Sequence, residues 1–227
     1  MPIPPRTLSI IIPALDERPI IAAAVRHARA LEPAEVIVAD GGSSDGTGEA
    51  AEEAGAKVVR TRAGRGTQQN AGAAAARGDL LVFLHADTRL PAGAMGRIAE
   101  ILADPGVSLG AFRLGFDRDD FGTRFLVFGA DLRMRLFALP YGDQALFLRR
   151  ESFERLGGFR DVPIMEDLCL VRRAKGIGRV VVAPERVRTS PRRYDQNGLL
   201  RNMLMNWVGA SLFALGAPPE RLVRFRR

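Results

Sequence analysis

The chain has 227 residues, with 33 Lys+Arg against 26 Asp+Glu, a net charge of +7, and a single cysteine. Its composition, 47% hydrophobic and 26% charged, excludes a disordered or collagen-like chain, and the lone Cys169 excludes a disulfide framework or a multi-cysteine metal site. The length fits one domain.

The first half alternates strand and helix. Leu8-Ser-Ile-Ile-Ile12 is an apolar, β-branched run that reads as a buried strand ended by Pro13. Pro19 opens a helical pattern to about Leu31, and Val36 to Ala39 is a second strand leading into Asp40-Gly-Gly-Ser-Ser-Asp-Gly46. Thr47 to Ala54 reads as a short helix stopped by Gly55, and Lys57 to Arg60 as a third strand. Thr67 to Ala76 is an Ala-rich helix, Leu80 to Leu84 a fourth strand followed at once by His85-Ala-Asp-Thr88, and Pro91 opens a helix to about Ala103. This order implies an α/β fold, a mostly parallel sheet with helices on both faces. Ligands in such sheets bind beyond the carboxyl ends of the strands. Three polar clusters fall there: Asp16 and Glu17, Asp40 to Asp45, and Asp87.

The second half is less regular. Ser108 to Phe116 reads as a strand, and Phe121 to Leu139 as a helix with apolar residues at Phe121, Phe125, Phe128, Leu132, Leu136 and Leu139. Gln144 to Arg149 is a strand, Glu151 to Leu156 a short helix, Glu166 to Lys175 a helix and Arg179 to Ala183 a strand. The last helix, Leu199 to Leu215, would span roughly 25 Å, short of a roughly 30 Å hydrocarbon core. Buried packing is the expectation for both long apolar helices; a homodimer interface or peripheral attachment to an anionic membrane surface are the alternatives. No targeting segment is read at the start, so a cytoplasmic protein is expected, with peripheral contact at the inner face of the membrane left open.

The charge is uneven. From Leu168 to Arg227 there are 13 Lys/Arg and 3 Asp/Glu, a net +10, while the first 167 residues are net −3. A basic stripe suits nucleic acid, a membrane surface or a phosphorylated ligand. Arginine can equally be the default surface residue, since Lys57 and Lys175 are the two lysines of the whole chain. Nucleic acid is disfavoured because Phe, Trp and Tyr form no stacking platform among the basic residues.

Two phosphate motifs fail. No G-x-G-x-x-G follows the first strand, and no G-x-x-x-x-G-K-[ST] occurs; Gly64-Arg-Gly-Thr67 lacks the lysine. The residues that remain are Ile10-Ile-Ile-Pro-Ala-Leu-Asp-Glu17, Val38-Ala-Asp-Gly-Gly-Ser-Ser-Asp-Gly-Thr47, Gly64-Arg-Gly-Thr-Gln-Gln-Asn-Ala-Gly72, Phe83-Leu-His-Ala-Asp87 and Met165-Glu-Asp167. In this order they resemble family 2 glycosyltransferases of the GT-A fold over almost the whole chain. The wording at His85-Ala-Asp-Thr88, Pro140-Tyr-Gly-Asp-Gln144 and Ser190-Pro-Arg-Arg-Tyr194 resembles a bacterial subgroup of radical-SAM/selenodomain-associated transferases.

The resemblance implies a GT-A domain over 1–227: a nucleotide-sugar-binding half to about 104, an acceptor and catalytic half to about 196, then a helix and basic tail. It implies an inverting transfer from a nucleotide-diphosphate sugar, UDP-sugar preferred and GDP possible, to an unknown acceptor that could be lipid-linked. Asp40 stands where the family has a carboxylate on the base or ribose, while the usual second Asp is Gly41 here. Asp16, Glu17 and the Pro13-Ala14 backbone would complete that pocket, with Arg65 beside the base or diphosphate and Asn70 in the same motif. Asp45, ahead of Gly46-Thr47, suits a helix cap as well as a ligand role.

Asp87 is the candidate ligand for Mn²⁺ or Mg²⁺, since phosphates and water supply most of such a coordination sphere. The family's Asp-x-Asp is His85-Ala86-Asp87 here; His85 is a further possible ligand and would lean the choice to Mn²⁺. A strand-end hydrogen bond is the other reading of His85. Asp167 is the candidate base for the acceptor hydroxyl, with Glu166 as alternate or acceptor contact; the competing reading is a helix N-terminus that favours paired acids. Arg192 and Arg193 could stabilise the departing diphosphate. Tyr141-Gly142-Asp143-Gln144 would line the acceptor side, although Asp143 and Gln144 also suit an ordinary loop ahead of a strand, and Cys169 is expected to be buried packing. A nucleotidyltransferase on a related sheet and a non-enzymatic basic membrane-surface module remain as alternatives.

Overall fold

The computed structural model describes residues 7–137, 139–192, 205, 208–209, 211–213 and 216–223. Strands β1 (Leu8–Ala14), β2 (Glu35–Asp40), β3 (Lys57–Arg60) and β4 (Leu80–Phe83) alternate with α1 (Arg18–Arg29), α2 (Thr47–Glu53) and α3 (Arg65–Ala75). Then come β5 (Thr88–Arg89), α4 (Ala94–Ala103), β6 (Val107–Arg113), α5 (Phe121–Phe137), β7 (Leu146–Arg149) and α6 (Arg150–Arg155). The described elements end with α7 (Glu166–Ala174), β8 (Arg179–Arg186), β9 (Arg188–Thr189) and α8 (Pro219–Leu222).

Seven strands form one sheet in the order β3-β2-β1-β4-β7-β6-β8. The β1–β2, β1–β4, β2–β3 and β6–β8 pairs are parallel, and β7 runs antiparallel to both neighbours. This is the mostly parallel, helix-flanked sheet of the GT-A fold. The sheet is covered on both faces, which is why its strands read as continuous apolar runs. Ile10 and Ile12 of β1 face the cluster that holds Ile21 and Val25 of α1 and Ile98 and Leu102 of α4. Ile11, between them, faces the opposite cluster with Ala73 of α3, Phe153 of α6 and Leu168 of α7. Cys169 lies in that second cluster, 6% exposed, and burial pushes its thiol up, as packing requires.

Two expectations change. Pro13 does not end β1: it stands in register with Ala39, and the strand runs on to Ala14. Pairing of β1 with β4 stops at Ile11↔Phe83, so the donor that proline lacks would face a side with no ladder partner. The second change is α5. Its apolar stripe is not packed: Phe121 is 86%, Phe128 63% and Leu136 61% exposed. The helix meets the protein instead through Leu126 and Ala130, against Leu114 and Phe116. Most of the expected helix Leu199 to Leu215, including Trp207, lies outside the described residues. No helix among the described residues is long and apolar enough to cross a membrane.

The chain also uses arginine as internal fastening. The Arg149 guanidinium, 7% exposed, donates to the carbonyls of Leu102, Asp104, Pro105 and Val107 at 2.9, 3.1, 3.1 and 2.5 Å. It thereby ties β7 to the turn between α4 and β6. Arg150 binds the carbonyls of Gly78 and Ala73, Arg173 those of Leu156, Gly158 and Cys169, and Arg186 that of Leu114 together with Asp131. Replacing Arg149 with Met would take a donor from four carbonyls, of which Asp104 O keeps the Val107 N–H. We expect Arg149→Met to cost about 3 kcal/mol in urea unfolding, well beyond an exposed Arg→Met change such as Arg89→Met.

Candidate active site

The carboxyl ends of β1, β2 and β4 open on one edge, where the ladders stop and side chains take over. After β1 the chain turns through Asp16, in the left-handed region at φ 52°. The Asp16 N–H donates to Ser43 Oγ at 2.9 Å, and its Oδ1 accepts the Ser44 N–H at 2.9 Å. Asp40, at the end of β2 and 4% exposed, accepts the Ser43 N–H and hydroxyl at 2.9 and 2.5 Å. Asp45 Oδ2 accepts the Arg18 N–H that starts α1, and its Oδ1 accepts the Thr47 N–H and hydroxyl that start α2. This is the helix-tying role of the two offered for Asp45. The Thr47 hydroxyl chiefly, with the Arg18 and Thr47 amides, holds its carboxyl below the ordinary value.

Gln68 of α3 completes the edge. Its Nε2 donates to Ala14 O at 2.6 Å and to Ala39 O at 3.1 Å, bridging the ends of β1 and β2. A Cβ on Gly41 would stand 2.9 Å from that nitrogen. The glycine where the family has a second Asp is therefore matched to the glutamine beside it.

A cleft of about 340 Å³ lies at this edge. Its walls include Pro13, Glu17, Arg65, His85, Ala86, Asp87 and Glu166 among the expected site residues, with Leu15, Gly64, Gln68 and Pro163. Asp87 is followed by β5, which pairs with β9, and Ser190 N–H donates to Asp87 O at 3.1 Å. This two-stranded ribbon carries the 188–192 segment to the cleft. There Arg192 Nη2 meets Glu17 Oε2 at 3.1 Å, between residues 175 apart in sequence. Among the described residues no group of three His, Cys, Asp or Glu could hold a metal ion alone. A carboxylate and an imidazole on one cleft wall do fit a cation whose other ligands are phosphate oxygens and water.

A second cavity, about 100 Å³, adjoins the first. Arg65 and Glu166 line both, and they pair at 3.4 Å with the Glu166 side chain only 4% exposed. Asp167 opens on this second cavity. It sits in the first turn of α7, after Met165 in the left-handed region at φ 62°. Its Oδ2 accepts the Gly142 N–H at 2.6 Å and its Oδ1 the Leu168 N–H at 2.7 Å. A Cβ on Gly142 would stand 3.1 Å from His85 Nε2 and 3.2 Å from Asp167 Oδ2. Gly142 is thus the seam where His85 and the candidate base Asp167 meet.

The family model for glycosyl transferase family 2 matches residues 9–157. The chain belongs to this family. The nucleotidyltransferase and non-enzymatic readings fall away. No sequence match was found among curated proteins. Among solved structures the glycosyltransferase is similar to a mycobacterial protein, at 25% identity over 94% of this chain and 76% of that one, TM-score 0.61. It is also similar to a mannosyltransferase from Pyrobaculum calidifontis in complex with GDP-Man and Mn²⁺, at 20% identity over 97% and 68% of the chains, TM-score 0.68. A third is glucosyl-3-phosphoglycerate synthase from Mycobacterium tuberculosis with Mn²⁺, UDP-glucose and phosphoglyceric acid, at 23% identity over 94% and 81%, TM-score 0.64.

Other expected site residues stand away from the two cavities' walls. The Asn70 amide clamps Phe159, donating to its carbonyl and accepting its N–H, both at 2.8 Å. Gln144 Nε2 donates to Phe112 O at 2.8 Å and its Oε1 accepts the Tyr141 N–H at 3.0 Å, shaping the turn that presents Gly142. Ala14, Asp16, Asp40 and Asp143 line neither cavity, and Arg193 lies outside the described residues. Sequence alone gives Gln68 no role: it stands inside the Gly64 to Gly72 motif, but its part depends on a partner 54 residues away.

Two outcomes check this geometry. Gly142→Ala places a methyl between His85 and Asp167, so kcat should fall at least about tenfold while UDP binding, followed by melting shift, is kept. Asp45 has a lowered folded value, so its contribution is present above the ordinary carboxylate range and lost as pH falls through the folded value. Asp45→Asn should therefore lower Tm at pH 7, and the gap to the parent should narrow below about pH 4.

Proposed function

We propose that the glycosyltransferase moves a sugar, with inversion, from a nucleoside-diphosphate sugar in the larger cleft to an acceptor hydroxyl presented from the second cavity. The observation that carries this reading is the placement of Asp167. Its carboxylate is fixed by the Gly142 N–H at 2.6 Å, on the cavity that shares Arg65 and Glu166 with the cleft. The Mn²⁺, UDP-glucose and GDP-Man complexes of the similar structures support a nucleotide-sugar donor and a divalent cation. UDP-sugar is the preferred donor and GDP-sugar the second.

Asp87, with His85 beside it, would hold Mn²⁺ or Mg²⁺. When bound, the cation supplies positive charge to the two phosphates. The chain's own residues do the rest. Glu17, Arg65 and Gln68 border the space for the nucleotide, and Arg192, which meets Glu17 there, adds a guanidinium on the diphosphate side. Asp167 takes the proton of the acceptor hydroxyl as its oxygen attacks the anomeric carbon. The new C–O bond forms on one face while the bond to the diphosphate breaks on the other, and the nucleoside diphosphate leaves with that electron pair. One base and one displacement give inversion. Glu166 is neutralised by Arg65, which leaves the proton transfer to Asp167.

The test separates the two roles. Asp167→Asn should keep the melting shift produced by UDP with Mn²⁺ and lose transfer by about 10²- to 10⁴-fold; a fully active variant removes Asp167 as the base. Asp87→Ala should lose the Mn²⁺-dependent part of the UDP shift, and an unchanged shift removes the metal assignment.

A further inference from the structure

We infer that the acceptor carries its hydroxyl on an apolar body, an alkyl or aromatic alcohol, whose apolar end fills the second cavity. The inference rests on the glycosyl-transfer reading and names the substrate class of its acceptor side. Away from the charged floor, the described wall is Tyr141, Ile164, Met165, Leu168, Met205 and Leu222, with the Gly209 backbone. These side chains offer dispersion contact and little hydrogen bonding. A polyol here would bury hydroxyl groups without partners, a cost that an apolar group avoids.

The floor argues against an anionic acceptor as well. Among the described residues it holds two carboxylates, Glu166 and Asp167, and one guanidinium, Arg65. Arg65 is already paired with Glu166 at 3.4 Å. A phosphate or carboxylate group entering this space would face net negative charge at close range. The phosphoglyceric acid bound in the similar mycobacterial synthase is of that kind, so this cavity suits a different class. The size is also informative. At about 100 Å³ it is smaller than a roughly 150 Å³ apolar cavity that takes benzene, so it admits a short alkyl chain or part of a ring.

Gly209 and Met165 set the depth. A Cβ on Gly209 would stand 2.8 Å from Met165 Cε, the far end of a flexible side chain. A leucine at 209 would fill the cavity while leaving the cleft, on the other side of Arg65 and Glu166, in place. The transfer would join the alcohol oxygen to the anomeric carbon, pass its proton to Asp167 and release the nucleoside diphosphate.

The experiment uses the full chain and ligand-observed NMR with four small probes: benzyl alcohol, n-hexanol, glycerol and 3-phosphoglycerate, each with and without UDP and Mg²⁺. Melting shifts by UDP and Mg²⁺ are recorded on the same samples. The expected result is saturable binding of benzyl alcohol and n-hexanol, weakened roughly tenfold or more in Gly209→Leu, which keeps its UDP shift. Glycerol and 3-phosphoglycerate should bind far more weakly. Tighter binding of 3-phosphoglycerate or glycerol overturns the inference, and so does alcohol binding that Gly209→Leu leaves unchanged. Loss of the UDP shift in the parent protein would instead strike the donor reading. The alcohol series without nucleotide would still report on the cavity.

Discussion

The constraint on which this protein turns is the end of a parallel ladder. Where β1 and β2 stop, the backbone that runs on into the loops still needs partners, and burying it unpaired would be costly. The chain answers with side chains from the following segments: Gln68 on the carbonyls of Ala14 and Ala39, Ser43 on the Asp16 amide, Thr47 on the Glu17 amide. The Ala14 carbonyl, which also accepts the Gly41 N–H, thus gains a second donor, and Gln68 and Glu17 are held in the cleft wall. Stability and site are made by the same contacts there, and this explains why Asp40 is occupied with Ser43 rather than facing the cleft.

The acceptor side is set by strain rather than by ladders. Met165, and Ala145 beyond the turn at Gly142, both hold left-handed backbone conformations, uncommon for residues with a Cβ. Between them runs the Gly142 to Asp167 hydrogen bond. The turn and the start of α7 therefore lock each other. Burial of Glu166 against Arg65 adds a second lock, since removing either partner would leave an uncompensated charge.

The first half of the fold was legible because local signals agreed. The β-branched runs at Ile10 to Ile12 and Val36 to Val38, and the Pro and Gly punctuation between them, describe β1 to β4 and their helices closely. The edge carrying the cleft followed from that alternation. The antiparallel insertion of β7 was not legible, because a four-residue apolar run does not encode its neighbours. Nor was the ribbon of β5 and β9, whose pairing joins Thr88 to Thr189. The α5 stripe shows the opposite limit: helical spacing identified the helix correctly, but periodicity cannot say which face a tertiary contact will choose. At the site, charged residue types drew attention to Asp87, Arg65 and Asp167, which line the two cavities. The Gln68 amide gave no comparable mark, because its part lies in the two carbonyls that it bridges.

The arginine fastenings change what the protein's charge means. A guanidinium turned inward onto carbonyls does not project its field outward as a surface lysine would. Where it is buried, as in Arg149, it is also shielded from mobile ions. Arg149, Arg150, Arg173 and Arg186 are thus closer to rivets than to bait for polyanions, although each adds to the formal tally. A fold held in this way keeps such interior bonds when the salt outside changes. The formal charge counts Arg149 together with the buried carboxylates of Asp40 and Glu166.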